Sequence, residues 1–203
     1  MINADAAPNG HRAKAVADPV DDYLRHLCLT IDRVSRDAIW EAVEILLEAC
    51  RARRRVYLFG NGGSAATASH MANDLNKQAS LTGGPLFRAI ALTDNVPLIT
   101  AWSNDEGYAE AFARQLANHV EAGDVVVAIS TSGNSANVLR ALAVAREHGA
   151  RSIGFTGGDG GALRGLVDCC VHVPCDDVGQ QEDVHLVLNH AISTALRARL
   201  SAP

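Results

Sequence analysis

Two glycine- and serine-rich segments contain the residue types best suited to hold an anion. Residues 60–64 read Gly-Asn-Gly-Gly-Ser, and residues 130–135 read Ser-Thr-Ser-Gly-Asn-Ser. Each follows an apolar run and precedes a helical pattern, so the backbone N–H groups at a helix start would face a ligand. The second segment adds four hydroxyl groups and no lysine. This chemistry suits a phosphate monoester.

Each segment taken alone has a simpler interpretation as a Gly/Ser turn with a capping serine. Neither segment matches a nucleotide motif. The first has Ala65 in place of the third glycine of G-x-G-x-x-G, and the second lacks the Gly-Lys-Ser/Thr of a P-loop. Two such segments after two predicted strands favour one shared site for a sugar phosphate over a dinucleotide site.

His70 and Asp74 lie four residues apart on the helix predicted after residues 60–64. Both side chains therefore project from one face and could clasp a metal ion, although such a pair is also common as a hydrogen-bonded helix surface. His190 lies on a C-terminal helical stretch, where spacing alone favours Asp183 as its companion. His185 is a rival ligand, interpreted as an interface or supporting residue.

The elements that must position these residues alternate along the chain. Short apolar runs at 56–60, 87–92, 125–130, 152–157 and 170–174 are typical of buried strands. Helical patterns occupy about 64–77, 108–120, 135–148 and 178–200. The alternation predicts an α/β fold with a parallel sheet of about five strands flanked by helices. Trp102 is expected to shape a loop after the second strand, and Asp94 to cap the next helix.

An N-terminal helical pair precedes the first predicted strand. Residues 1–18 are expected to be a flexible leader, without the apolar core of a secretory signal. Helices are predicted from Pro19 and after Ser35, so that residues 19–52 form the pair and residues 53–203 the α/β core of one domain. The first helix carries an apolar stripe that must pack against the main domain, a partner subunit or both. The stripe comprises Val20, Leu24, Leu27, Ile31 and Val34.

The amino-acid composition argues against some classes of protein function. The chain has 203 residues, a formal net charge of -5, 48% hydrophobic and 20% charged residues. An acidic balance, with no block of like charge long enough to form an arm, argues against nucleic-acid binding, and no apolar stretch is long enough to span a membrane. The five cysteines are odd in number and lack a C-x-x-C pair, so we expect reduced thiols and a cytoplasmic protein.

Three segments resemble the SIS (sugar isomerase) domain family, and within it the phosphoheptose isomerases. They are FGNGGSAATASHMANDL at 59–75, AISTSGNSANVLRALAVAREHG at 128–149 and QEDVHLVLNH at 181–190. The resemblance runs from about Asp21 to Leu200. It implies a single SIS domain and a homotetramer whose active sites borrow residues from neighbouring chains.

Residue by residue, the resemblance implies the following roles. Substrate is expected to contact Asn61, Gly62, Gly63, Ser64, Asn104, Asp105 and Glu182, and the phosphate to contact Ser130, Thr131, Ser132 and Ser135. One zinc ion per subunit would be bound by His70, Asp74, Glu182 and His190. His190 and Asp74 would also serve as base and acid. The family usually has Glu in place of Asp74 and Gln in place of Glu182.

The residues and the resemblance together predict an aldose–ketose isomerase, and the resemblance implies that it converts sedoheptulose 7-phosphate to D-glycero-D-manno-heptose 7-phosphate through an enediol. One alternative is a non-catalytic SIS protein that binds a sugar phosphate or a protein partner as a regulator or scaffold. Another is an isomerase of a different phosphosugar in secondary metabolism. The presence of both His70 and His190 favours catalysis, because a scaffold needs no such pair.

Overall fold

Five parallel strands form the centre of the computed structural model, which describes residues 18–77 and 85–201. They are β1 (Arg55–Gly60), β2 (Arg88–Ala91), β3 (Val125–Ser130), β4 (Arg151–Thr156) and β5 (Cys169–His172). Their spatial order is β2-β1-β3-β4-β5, and every neighbouring pair is parallel. The predicted α/β fold and the number of strands are confirmed.

Seven α-helices accompany the sheet within the described residues. They are α1 (Pro19–Arg33), α2 (Arg36–Arg51), α3 (Gly63–Lys77), α4 (Val96–Glu106), α5 (Ala111–Ala117), α6 (Ala136–Glu147) and α7 (Val178–Ser201). Short 3-10 helices occupy Tyr108–Glu110 and Ala162–Gly165. The helix predicted at 108–120 is therefore divided, and its α-helical part ends at Ala117.

The segment after β2 departs from the sequence-based expectation. It forms a helix of its own, α4, and the capping residue is Asn95, whose Oδ1 accepts the Leu98 N–H at 3.2 Å. The prediction that Asp94 caps this helix is wrong. The Asp94 carboxylate instead accepts a hydrogen bond from the Ser69 hydroxyl of α3, because it lies one residue too early to reach the free N–H groups of the first turn.

Both faces of the sheet are covered, which explains why its strands are continuous apolar runs. Val56 and Leu58 of β1 pack in the layer that contains α2, α3 and α7. Tyr57 and Phe59 point to the opposite face and pack with α5 and α6. All four side chains are fully buried.

The apolar stripe of α1 is divided between two environments. Val34, just past the helix, is buried, and Leu27 and Ile31 are partly buried against the core. Val20 and Leu24 are 64% and 53% exposed. The helix starts at a cap formed by Asp18, whose Oδ1 accepts the Val20 N–H at 2.9 Å. Of the predicted leader, residues 1–17 lie outside the described residues.

The strand order places a topological switch point between β1 and β3. The chain leaves β1 towards the β2 edge and leaves β3 towards the β4 edge, so the two connections diverge from adjacent strands. Open α/β sheets bind ligands at such a switch point, beyond the carboxyl ends of the strands. Residues 60–64 and 130–135 follow these two strands, and Gly60 is paired with Ile129. No helix within 18–77 or 85–201 has the length and hydrophobicity needed to cross a membrane.

Candidate active site

The loop between β3 and α6 brings hydroxyl groups together. The Ser130 Oγ lies 3.1 Å from the Ser135 Oγ and 3.5 Å from the Ser132 Oγ. Ser135 occupies the N-cap position of α6, yet its side chain caps no N–H group of the described helix. The structure thus disfavours the interpretation of Ser135 as a capping residue, and it leaves the hydroxyl cluster beside a helix start that suits an anion.

Backbone packing holds this loop in place. Gly133 has φ of 63°, and a Cβ atom there would lie 2.0 Å from the carbonyl oxygen of Gly160. The Leu163 N–H donates to the Gly133 carbonyl at 2.9 Å, and the Gly157 N–H donates to the Thr131 carbonyl at 2.9 Å. The segment after β4 therefore buttresses the loop. Glycine at 133 is required both for its φ and for this close approach.

Asn61, in the β1–α3 loop, is fixed by two residues that sequence reasoning missed. Asn61 and Asn137 exchange amide hydrogen bonds of 2.9 and 2.8 Å, and the Tyr108 hydroxyl donates to the Asn61 Oδ1 at 2.7 Å. Asn137 is buried at the start of α6 and so links the two loops. The sequence signal that could have identified Asn137 is a polar residue at a core-facing position of α6, directly before the apolar Val138.

Glu182 lies at the N-terminus of α3. A Cβ atom on Gly63 would be 2.3 Å from the Glu182 Oε1, so the carboxylate lies against the first residue of the helix. A negative charge is favoured there by the helix dipole. The same charge would repel a phosphate, so the anionic end of a substrate is better placed at the hydroxyl loop.

Two histidines and an aspartate form a group that could hold a metal ion. The Nε2 atoms of His70 and His190 are 3.1 Å apart, and they lie 3.5 and 3.6 Å from the Asp74 Oδ2. One ligand atom from each residue lies within 4.8 Å of the others. Asp74 is buried, whereas the side chains of His70 and His190 are 42% and 49% exposed. The group therefore opens towards the surface.

Neither acidic residue considered as a companion of His190 belongs to this group. Glu182 lies against Gly63, and His70 follows Gly63 by seven residues, which is about 10 Å along a helix axis. Asp183 accepts a hydrogen bond of 2.6 Å from the Tyr23 hydroxyl. That bond raises the pKa of Tyr23 to about 12. The structure thus brings together three of the four predicted metal ligands and leaves Glu182 beside Gly63, the first residue of α3.

Asn104 and Asp105 lie exposed in the last turn of α4, where the Asn104 Nδ2 donates to the Asp105 Oδ1 at 2.9 Å. The described contacts do not join this pair to either loop directly. Tyr108, three residues beyond Asp105, makes the connection to Asn61. Asn104 and Asp105 therefore lie on a segment that contacts the β1–α3 loop through Tyr108.

His185 is a core residue rather than a metal ligand. It is 1% exposed, and its Nε2 lies 3.3 Å from the Thr156 carbonyl oxygen. Burial lowers the pKa of His185 to about 4. The neutral imidazole therefore belongs to the folded state, and acidification favours the unfolded chain, which binds the proton more readily.

We expect His185→Gln to flatten the acid limb of the stability profile. The lowered pKa of His185 makes the free energy of unfolding of the parent fall by about 3 kcal/mol as the pH drops from 7 to below 4. The variant lacks this imidazole, so its free energy of unfolding should fall by about 3 kcal/mol less over the same pH range. Urea unfolding measured across this pH range tests the prediction, with His148→Gln on the exposed end of α6 as control. Parallel profiles for His185→Gln and the parent would contradict it.

Comparison with known proteins decides the family. A family profile described as a SIS domain matches residues 22–157. The chain belongs to the SIS-domain family. It is 43% identical to a phosphoheptose isomerase of Rhodospirillum rubrum over 155 residues, covering 76% of this chain and 82% of that protein. It is 42% identical to one of Mycobacterium tuberculosis over 172 residues, covering 85% and 87%.

Two solved structures of phosphoheptose isomerases, which are SIS-domain proteins similar to this chain in sequence, have the same fold. The phosphoheptose isomerase GmhA of Neisseria gonorrhoeae superposes with a TM-score of 0.81 at 32% identity, covering 88% of this chain and 97% of that one. A phosphoheptose isomerase of Francisella tularensis gives 0.83 at 28% identity, with coverage of 88% and 96%. The resemblance inferred from residues 59–75, 128–149 and 181–190 is confirmed.

Proposed function

We propose that this protein is a sugar-phosphate isomerase that converts sedoheptulose 7-phosphate to D-glycero-D-manno-heptose 7-phosphate. The observation that carries the proposal is the combination of a hydroxyl loop at the sheet edge with the His70, Asp74 and His190 group. The first suits a phosphate anchor and the second suits proton transfer. The names of the phosphoheptose isomerases that the chain resembles support the same reaction.

The phosphate would be held by Ser130, Thr131, Ser132 and Ser135. The sugar would then extend along Asn61, Gly62, Gly63 and Ser64, with Asn104, Asp105 and Glu182 as further contacts. Electrostatics support this direction, because the Glu182 carboxylate already occupies the N-terminus of α3. Hydrogen bonds from hydroxyls and helix N–H groups would fix the anion without a lysine.

Isomerisation needs a base for the proton on the carbon next to the carbonyl and an acid on the other side of the enediol. We assign His190 as the base, since imidazole can accept and release a proton near neutral pH. Asp74 is assigned as the acid. The side chains of His190 and Asp74 lie close together, because α7 and α3 pack side by side.

The donor set also fits a zinc ion, one per subunit. Two imidazole nitrogens and a carboxylate oxygen within 4.8 Å match the three protein ligands of catalytic zinc sites. His70, Asp74 and His190 would hold the metal, which when bound supplies polarisation of the carbonyl and hydroxyl oxygens. Glu182 stays a predicted ligand that rests on the family resemblance.

We also propose a homotetramer with active sites shared between chains. Within one chain the metal-capable group lies about 10 Å along α3 from the sugar-binding loop, and both of its histidines are half-exposed. The exposed end of the α1 stripe supplies an apolar surface for association. The five cysteines, none in a disulfide, fit a reducing compartment such as the cytoplasm.

The double variant Val20→Asp with Leu24→Asp should break the tetramer and lower activity. Both side chains face solvent in the single chain, so in the tetramer they would belong to the apolar contact, where a buried charge is unfavourable. Light scattering and an isomerase assay measure the two effects. Leu166→Asp, another half-exposed leucine, is the control and should leave the mass unchanged. A parent protein that is an active monomer would contradict the assembly and the shared site.

The reaction itself is tested by incubating the protein with sedoheptulose 7-phosphate and following the mixture by proton NMR. An aldose product has a proton on its anomeric carbon, which the ketose lacks, so a new anomeric signal should grow. A binding-only protein would shift substrate signals without forming product. Turnover of another phosphosugar in place of this one would support the alternative isomerase.

A further inference from the structure

Asn189 lies behind the metal-capable group, in the contact between α3 and α7. It directly precedes His190 on α7 and is fully buried. Its Nδ2 donates to the Asp74 Oδ2 at 2.9 Å. This is the same carboxylate oxygen that lies 3.5 Å from the His70 Nε2 and 3.6 Å from the His190 Nε2.

A buried amide at this position has an energetic cost. The Asn189 Oδ1 is buried and has no hydrogen-bond partner among the residues that the structure describes, and an unsatisfied polar atom in the interior destabilises the folded state. The neighbours on the same helix, Leu188 and Ile192, are buried apolar residues. An apolar side chain would therefore pack better against these neighbours. The amide differs from it by donating a hydrogen bond to the Asp74 carboxylate.

We propose that Asn189 is a positioning residue that fixes the Asp74 carboxylate so that Oδ2 faces the two imidazoles. The inference rests on the proposed function, because it concerns how Asp74 serves as metal ligand and acid. An aspartate carboxylate can rotate about its Cβ–Cγ bond. The Asn73 Nδ2 donates to its Oδ1 at the longer distance of 3.3 Å, and the 2.9 Å donor on Oδ2 restricts the rotation further. Hydrogen bonds to a ligating carboxylate typically change metal affinity or activity by about 10- to 100-fold.

The test replaces Asn189 by Leu, which is similar in size and lacks the donor. We expect zinc affinity, measured by calorimetry on metal-free protein, to fall about 10- to 100-fold. The value of kcat for the isomerisation should fall by a similar factor, with KM nearly unchanged, because the phosphate loop is untouched. Asn189→Ala serves as a second variant should Leu disturb the helix contact, and far-UV circular dichroism with thermal unfolding reports the fold of both.

Ser193→Ala is the matched control. Ser193 lies one turn further along α7, is buried, and its hydroxyl has no partner within the described part of the chain. Parental zinc affinity and kcat in a folded Asn189→Leu or Asn189→Ala protein would overturn the proposal, as would equal losses in Ser193→Ala. A parent that binds zinc but does not turn over sedoheptulose 7-phosphate would reject the proposed function alone. A parent that does neither would reject both.

Discussion

His190→Ala is expected to lower kcat by about 10²- to 10⁴-fold, the usual contribution of a positioned general acid or base. It should also weaken zinc binding, because His190 supplies one of the three ligand atoms in the group with His70 and Asp74. His70→Ala should weaken zinc binding without removing the base. The comparison separates the metal role, which both histidines share, from the proton-transfer role assigned to His190.

The measurement is steady-state kinetics with sedoheptulose 7-phosphate, together with elemental analysis of the purified variants. His148→Ala is the control, since His148 is an exposed histidine at the end of α6 whose Nδ1 contacts only the Val144 carbonyl among described atoms. Full activity in His190→Ala would refute the assignment of the base. Full activity in a metal-free parent would reject zinc and leave the acid–base pair standing.

The second large effect concerns the phosphate anchor. Ser130→Ala combined with Ser132→Ala should raise the Kd for the sugar phosphate by about 10²- to 10⁴-fold, since each lost hydrogen bond to a charged group costs about 1.5–3 kcal/mol. The fold should be retained, because the bonds that buttress this loop come from the backbone of Gly133 and Thr131 and from the Asn134 side chain. The double variant removes from the loop backbone only the 3.2 Å bond of the Asn134 N–H to the Ser132 Oγ among the described contacts.

Calorimetric titration with substrate measures this change. Thr100→Ala is the control, since its exposed hydroxyl bonds only to carbonyl groups of its own helix among the described residues. Unchanged affinity in the double serine variant would show that residues 130–135 are not the phosphate site.

The sequence predicted the parts of the fold that local patterns control. Apolar runs such as Val125–Ser130 are buried on both faces and end at glycine- or serine-rich turns, so the strands and the loops after them could be located. Helix α4 was missed as a separate element because the stretch after β2 has no clear apolar stripe and none of its residues is buried. Its start was assigned to Asp94, whereas Asn95, one residue later, provides the cap.

Side-chain partners across the fold were less predictable. The four-residue spacing of His70 and Asp74 indicated a shared helix face, but the approach of His190 depends on how α7 packs against α3. The bonds from Asn137 to Asn61 and from Asn189 to Asp74 join residues 76 and 115 positions apart. Local periodicity carries no information on such pairs, and the resemblance supplied Glu182 but not its position beside Gly63.

The most direct test of the account is turnover of sedoheptulose 7-phosphate by the parent protein in D₂O, followed by proton NMR and mass spectrometry. An enediol mechanism with an exchangeable base predicts an aldose 7-phosphate that carries deuterium on C2, because the proton removed from C1 exchanges with solvent before return. Growth of that deuterated product is the expected result. An unchanged spectrum would contradict the conclusion that this chain is an acid–base isomerase of a heptose phosphate, and a product without deuterium would contradict the assignment of His190 and Asp74 as separate base and acid, because one group would then have to return the same hydrogen.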